Sequence, residues 1–431
     1  MEWALAAVSA VLLGFAAISR RAHGTSITPA MVFTGLGVLL GSEVLGLVEP
    51  APPGELVKRL AEATLSLVLF ADASRIDLKA LRGEWAVPAR LLATGLPLTI
   101  GLGFLVALLV FGDLAWSEAL LVAVILAPTD AALGQAVMTD ARLPSRIRQG
   151  LNVESGLNDG LCVPIFFVVL AVADAQAGAI GNGAAARVVA EEIGYGILGG
   201  VIAGVAGAAV LRIAGPRALI ESSWLQVVPV ASAALAFGIA RPLSGSGFIA
   251  AFVAGGVFGG LRPRGKEIEF LIEQASLVLN AVTFVVFGAA LLGPALGDIT
   301  WSVAAYAILS LTAVRMIPVA LALIGTNARP PTISFLGWFG PRGLASIVFA
   351  VLVVDEGNLP HQATILEAVY ITVGLSVLAH GVTAAPLATR YADWYESHPI
   401  DHLPPMESTD VDPGRWRPHT SPAPDGQAEG P

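Results

Sequence analysis

Residues 147–172 read IRQGLNVESGLNDGLCVPIFFVVLAV, a stretch long and apolar enough to cross a bilayer with a polar cluster, Glu154-Ser155-Gly156-Leu157-Asn158-Asp159, set inside it. Roughly 20 mainly apolar residues suffice for one helical crossing. Two carboxylates and an amide therefore sit where ionisable groups are expensive, and they persist there only with a partner or a task. This stretch sets the fold class, because the rest of the chain repeats its length and apolarity.

The protein has 431 residues, of which 55% are hydrophobic and only 13% charged, with a mean hydropathy of +0.75. A soluble domain would carry about 25% charged residues. Successive apolar runs divided by short polar loops predict an all-α polytopic membrane protein. The one cysteine, Cys162, lies inside a predicted span, which excludes disulfides and cysteine-based metal sites. A net charge of −9 offers no general basic surface for nucleic acid. The first run, Trp3 to Ser19, follows Glu2 and precedes Arg20-Arg21, the reverse of a cleavable signal, so it is expected to be a true span with its N-terminus outside.

Thirteen spans are expected, at approximately 2–19, 27–47, 56–74, 86–111, 117–138, 147–172, 187–213, 223–241, 244–261, 268–293, 300–324, 333–354 and 363–389. Lys and Arg sort with that count. Arg20, Arg21, Arg75, Lys79, Arg82, Arg90, Arg142, Arg146, Arg148, Arg212, Arg217, Arg262, Arg264, Lys266, Arg329 and Arg390 fall on one side, against Lys58, Arg59, Arg187 and Arg241 on the other. The richer side is expected to be cytoplasmic. An odd count lets segments 1–6 and 8–13 start from opposite faces, the parity of an inverted repeat of six plus six with segment 7 as connector. From Tyr391 the chain turns polar and Pro-rich, and residues 391–431 are expected to be a disordered cytoplasmic tail.

Depth brings charges together. At 1.5 Å per residue, Asp159 lies about 18 Å into segment 6, Asp130 about 20 Å into segment 5 and Arg315 about 22 Å into segment 11. All three can meet near the middle of a core about 30 Å thick. Within segment 6, Glu154 and Asn158 share one helical face, and Ser155 with Asp159 the next. Arg315 is the natural counter-charge for Glu154. Asp159, without a cation of its own, is left to hold a proton or a small cation in turn. In segment 5, Pro128 before Thr129-Asp130 should break the helix and free carbonyls, with Thr129 offering a hydroxyl. Gly340-Pro341-Arg342-Gly343 is the corresponding breaker-rich site in segment 12, and paired breaks of this kind point to a site on discontinuous helices. Oxygen donors alone suit hard cations and protons.

Blander uses compete with these. Asp130 serves a helix end as readily as an ion, and Glu154 with Arg315 is a structural pair before it is a transporting one. Glu62, Asp72, Asn280 and His380 read as isolated interhelical hydrogen-bonding groups, and Gly199, Gly200, Gly204 and Gly207 as small-residue helix packing.

Taken in order, Thr129-Asp130, Glu154-Ser155, Asn158-Asp159, Arg315 and Gly340-Pro341-Arg342-Gly343 resemble the monovalent cation:proton antiporters of family 1, the NhaP-type sodium/proton exchangers, over roughly residues 1–390. The resemblance implies the sodium/proton antiporter fold of about thirteen helices, with broken crossing helices in a mobile core (about 86–172 and 300–389) and a dimerisation part (about 1–74 and 223–293). It implies a secondary active exchanger of Na+ for H+ by alternating access. Asp159, Ser155, Thr129 and Glu154 would hold Na+, Asp130 would be a further cation- or proton-binding group, and Asn158, Arg315 and Arg342 would orient them. Asn at 158 rather than a second Asp resembles the electroneutral members. Relatives often carry Thr-Asp-Pro; here Ala131 follows Asp130 and the proline stands at 128.

The same carboxylates would also suit a cation channel or a K+/H+ antiporter. An intramembrane hydrolase lacks its signatures here, with neither His-Glu-x-x-His nor Gly-x-Gly-Asp present. No nucleotide-binding motif appears, so the energy source is expected to be an ion gradient, and no enzymatic activity is expected. The expected partners are membrane lipid and a second copy, without nucleic acid, nucleotide or resident cofactor, in the plasma membrane.

Overall fold

The computed structural model describes residues 2–22, 25–48, 55–75, 86–178, 181–263, 268–398 and 405–408. Lys79, Arg82, Arg264 and Lys266, and the tail from 409, lie outside the described residues. Among those described the chain is helical, with no strand beyond a single bridge between Gly41 and Val48. Eight helices are long and apolar enough to cross a membrane, and four shorter apolar ones accompany them. This is a multi-pass all-α membrane fold.

The helices in chain order are α1 (Glu2–Ala22), α2 (Pro29–Leu40), α3 (Glu55–Arg75), α4 (86–110), α5 (Trp116–Ile125), α6 (Ser145–Gln176), α7 (Asn182–Ala214), α8 (Val227–Ala240), α9 (Gly247–Leu261), α10 (270–295), α11 (301–322), α12 (Pro330–Trp338), α13 (Leu344–Glu356) and α14 (Gln362–Glu396). Two of them widen into π-turns, at Leu91–Gly95 in α4 and Phe287–Leu292 in α10. Each π-turn ends two residues before a proline, Pro97 and Pro294. A proline removes one donor from the ladder, and an extra residue in the preceding turn reseats the bonds around it.

Two groups of helices pack differently. α3, α7, α8, α9 and α10 approach closely through small residues. A Cβ on Gly255 or Gly259 of α9 would fall 2.3 Å from the Phe70 carbonyl oxygen or 2.2 Å from that of Ser74 on α3. Gly204 of α7 meets the Ala254 backbone in the same way. Without a hydrophobic drive between helices in lipid, such backbone proximity supplies the packing. α4, α5, α6 and α11–α14 form a bulkier block, with Phe166 of α6 stacked on Phe349 of α13 at 4.5 Å.

Three expectations change. Segment 11 is not one helix: Trp301–Leu311 stops at Thr312, whose φ and ψ of −108° and −91° leave the helical region, and Ala313–Ala322 restarts just before Arg315. The polar tail begins later than Tyr391, since α14 continues to Glu396. Its aromatic residues explain this, Tyr391 stacking on Phe335 at 4.4 Å. Beyond it, Pro405–Ser408 forms a turn whose buried Glu407 accepts hydrogen bonds from Arg329 N (3.0 Å) and Thr332 Oγ1 (2.8 Å) at the start of α12. Glu62 is not isolated, whereas His380 makes the interhelical hydrogen bond expected of it. Glu62 pairs with Arg59 (3.3 Å) and with Arg241 (3.7 Å), and His380 Nε2 lies 2.9 Å from the Trp338 carbonyl.

Candidate functional site: two broken helices crossing beside a buried carboxylate

α5 ends at Ile125 and helical winding resumes only at Gln135–Met138, while α12 ends at Trp338 and α13 starts at Leu344. The extended pieces between them touch: Asp130 N donates to the Pro341 carbonyl at 2.8 Å. Each break leaves a helix end with unsatisfied groups and a partial charge, positive at an N-terminus and negative at a C-terminus.

Each end is met from the other break. Asp130 Oδ2 accepts the Leu344 N–H at 2.9 Å, capping the N-terminus of α13, and its Oδ1 accepts the Ala132 N–H at 2.8 Å. Arg342 Nη1 donates to the carbonyls of Ala127 (2.9 Å) and Pro128 (3.4 Å), which lie just past the end of α5. Arg342 is itself fixed by its N–H to Ser376 Oγ at 2.7 Å, and Ser346 Oγ donates to the Ile125 carbonyl at 2.7 Å. A carboxylate thus faces the positive end and a guanidinium the negative one, both fully within the protein. Gly343 and Gly340 are small because these charged groups fill the space. A Cβ would stand 2.1 Å from Asp130 Oδ2 at the first and 2.3 Å from Arg315 Nε at the second.

α6 supplies the polar cluster. Glu154 is gripped by Arg315 at both oxygens, 2.7 Å and 2.8 Å, with the two side chains only 2% and 3% exposed. That leaves little of Glu154 to offer a cation. Asn158, one turn further, accepts the Thr129 N–H at 3.2 Å and donates to Thr129 Oγ1 at 2.7 Å. Its amide cannot be turned round, because the Thr129 N–H needs an acceptor and Glu154 Oε1, 3.5 Å away, needs a donor. Thr129 Oγ1 and Ser155 Oγ share a hydrogen bond of 3.0 Å. Thr129 and Ser155 therefore present hydroxyl oxygens together on the face that carries Asp159 one turn beyond Ser155.

Asp159 differs from every other carboxylate of the cluster. It is buried, yet its Oδ1 has no hydrogen-bond partner. Asp130, Asp72 and Glu154 lie within electrostatic reach of it, and none brings an opposite charge. The α3 and α9 helices close over its flanks, with Asp72 against Gly156 and Phe252 against Gly160. The site therefore lies on the boundary between the two helix groups. Asp72, read from the sequence as an isolated hydrogen-bonding group, stands beside this site, 3.9 Å from its i+3 neighbour Arg75.

A cavity of about 360 Å³ lies between α1–α2 and the bulkier block. It opens between the α1–α2 turn and α14, is rimmed by Asp140 and Arg142, and reaches Ala132 and Leu133 just past Asp130. Arg142 bonds to both Asp140 oxygens (3.1 and 2.7 Å), which holds that carboxyl below the usual carboxylate range.

Crossed, mutually capped helix breaks around an unpartnered carboxylate define a secondary transporter of hard cations or protons. The chain belongs to the sodium/hydrogen exchanger family, whose transmembrane region matches residues 7–390. It is 29% identical over 368 residues to the Na(+)/H(+) antiporter NhaP of Pseudomonas aeruginosa, covering 78% of this chain and 81% of that one. It is 27% identical to the K(+)/H(+) antiporter NhaP2 of Shewanella oneidensis and 24% to the K(+)/H(+) antiporter NhaP of Alkalimonas amylolytica, covering 83% of this chain each time. The chain spans 62% and 61% of the length of those two potassium relatives. Its fold is that of the sodium proton antiporter MjNhaP1 from Methanocaldococcus jannaschii, with a TM-score of 0.72 at 19% identity over 90% of this chain and 98% of that one.

Proposed function

We propose that this protein is a secondary active antiporter that exchanges Na+ for H+, one for one, across the plasma membrane. The observation that carries this reading is Asp159, a buried carboxylate with an unpartnered oxygen one turn from Ser155, whose hydroxyl shares a hydrogen bond with that of Thr129. Such a group cannot remain charged and bare in a low-dielectric interior, so it takes a proton or a cation and releases one to accept the other. Thr129 and Ser155 add neutral oxygen donors of the kind Na+ takes. Glu154, matched by Arg315, and Asp130, spent on two backbone N–H groups, act as positioning charges in this scheme rather than as ligands. Asn158 is neutral, so a single carboxylate is left to change its charge, which supports an electroneutral cycle.

In the cycle, Asp159 loads at one face, the block of α4–α6 and α11–α14 shifts against the remaining helices, and the exchange reverses at the other. An empty, charged Asp159 resists that passage, which couples the two fluxes. We assign thirteen crossings in an inverted repeat, the arginine-rich end to the cytoplasm, the N-terminus to the outside and a homodimer contact to the static helices. No resident cofactor and no enzymatic chemistry enter the scheme. The likeness to K(+)/H(+) relatives favours K+ as the second reading of the cargo.

The test is exchange in proteoliposomes with a lumenal pH dye, adding Na+, K+ and Li+ in turn. Wild type should alkalinise an acid lumen with saturable cation dependence, and Asp159→Asn should abolish this while eluting as folded protein. Retained exchange in Asp159→Asn, or a conductance not coupled to protons, overturns the proposal.

A further inference from the structure

Lys58 of α3 forms an ion pair with Asp355 near the far end of α13. The Lys58 side chain is 12% exposed and that of Asp355 39%, so the pair sits at the mouth of the boundary, within reach of water. The pair bridges the two helix groups. Asp355 lies eleven residues along α13 from Leu344, about 16 Å from the crossing by helical rise. Four other ion pairs among the described residues stay on one side of the boundary. Arg75 reaches Glu273, and Arg262 reaches Glu269 at 2.9 Å, among the glycine-packed helices; Arg142 holds Asp140 at 2.7 Å within the block. Glu118 holds His361 at 2.8 Å, again within the block. At the arginine-rich end the block is parted from α1 and α2 by the cavity that reaches Ala132 and Leu133.

We propose that Lys58 and Asp355 form a latch that closes the outer end of the boundary while the inner end is open, so that breaking it moves the carrier toward its outward-open state. This rests on the antiporter reading, since only a block that moves needs a latch. A contact made in one state and absent in the other biases the equilibrium by its own free energy, and its loss releases that bias. Carrying opposite charges on two sides of a sliding boundary gives closure that water and ions reverse readily, unlike an apolar seam.

Ala61, one turn below Lys58 and 2% exposed, reports on the boundary. Ala61→Cys is introduced and labelled from outside with a membrane-impermeant maleimide in intact vesicles, the native Cys162 being fully buried. Lys58→Gln and Asp355→Asn should each speed labelling by about fivefold, the shift expected from a weak to moderate ion pair. The charge-reversed double variant Lys58→Asp/Asp355→Lys should return labelling toward the wild-type rate. Unchanged labelling in both single variants, with cation–proton exchange intact, overturns the latch. Absence of exchange in the wild type instead removes the antiporter reading beneath it.

Discussion

Replacing Arg315 with alanine tests the electrostatic logic of the site more severely than any other change. Glu154, 2% exposed, would lose hydrogen bonds of 2.7 and 2.8 Å, with only the long 3.5 Å contact to Asn158 remaining. Removing one partner of a buried pair costs about 3–5 kcal/mol, because it strands the other charge. At about 1.4 kcal/mol per tenfold, the unfolded fraction should rise by roughly two to three orders of magnitude. The same reasoning requires compensation. Glu154→Leu combined with Arg315→Met removes both charges at similar volume and should recover most of the loss. Equilibrium unfolding of detergent-purified wild type, Arg315→Ala and the double variant measures both changes. An Arg315→Ala variant as stable as wild type within about 0.5 kcal/mol, the range of simple additivity, would refute the buried pair. So would a double variant no more stable than Arg315→Ala.

Two further expectations follow from named contacts. Gly343→Ala introduces a methyl 2.1 Å from Asp130 Oδ2, so Asp130 must release the Leu344 N–H; a loss of about 1.5–3 kcal/mol in unfolding free energy is expected, and unaltered stability would count against the capping role. Glu407→Ala deprives Arg329 N and Thr332 Oγ1 of their acceptor. Limited proteolysis should then cleave the chain beyond Glu396 about fivefold faster, whereas an unchanged rate would mean the turn at Pro405–Ser408 is held by something else.

Residues 154–159 disclose the membrane class, because charge inside an apolar run has few explanations. The Glu154–Arg315 pairing is legible for the same reason: one guanidinium at the right depth leaves little choice. The part played by Asp130 is not legible. Its defining partner, the Leu344 N–H, is 214 residues away, and an N-terminal cap and a cation ligand use the same side chain. Arg342 could be suspected of an orienting role, but its acceptors Ala127 and Pro128 emerge only when the two breaks are brought together. The stop at Thr312 has weak local signal, since threonine is tolerated in helices and Pro318 lies six residues later. Lys58 and Asp355 carry no pattern at all, because nothing local to either predicts a partner on another helix.

Because Asp130 serves α13 and Arg342 serves α5, neither half-helix can rotate or slide alone without exposing backbone to a region with no water to receive it. The junction is braced from both sides and must travel as one rigid piece. Whatever slows a turnover then resides in the seams around that piece, and cargo preference can evolve at Thr129 and Ser155 while the brace stays fixed.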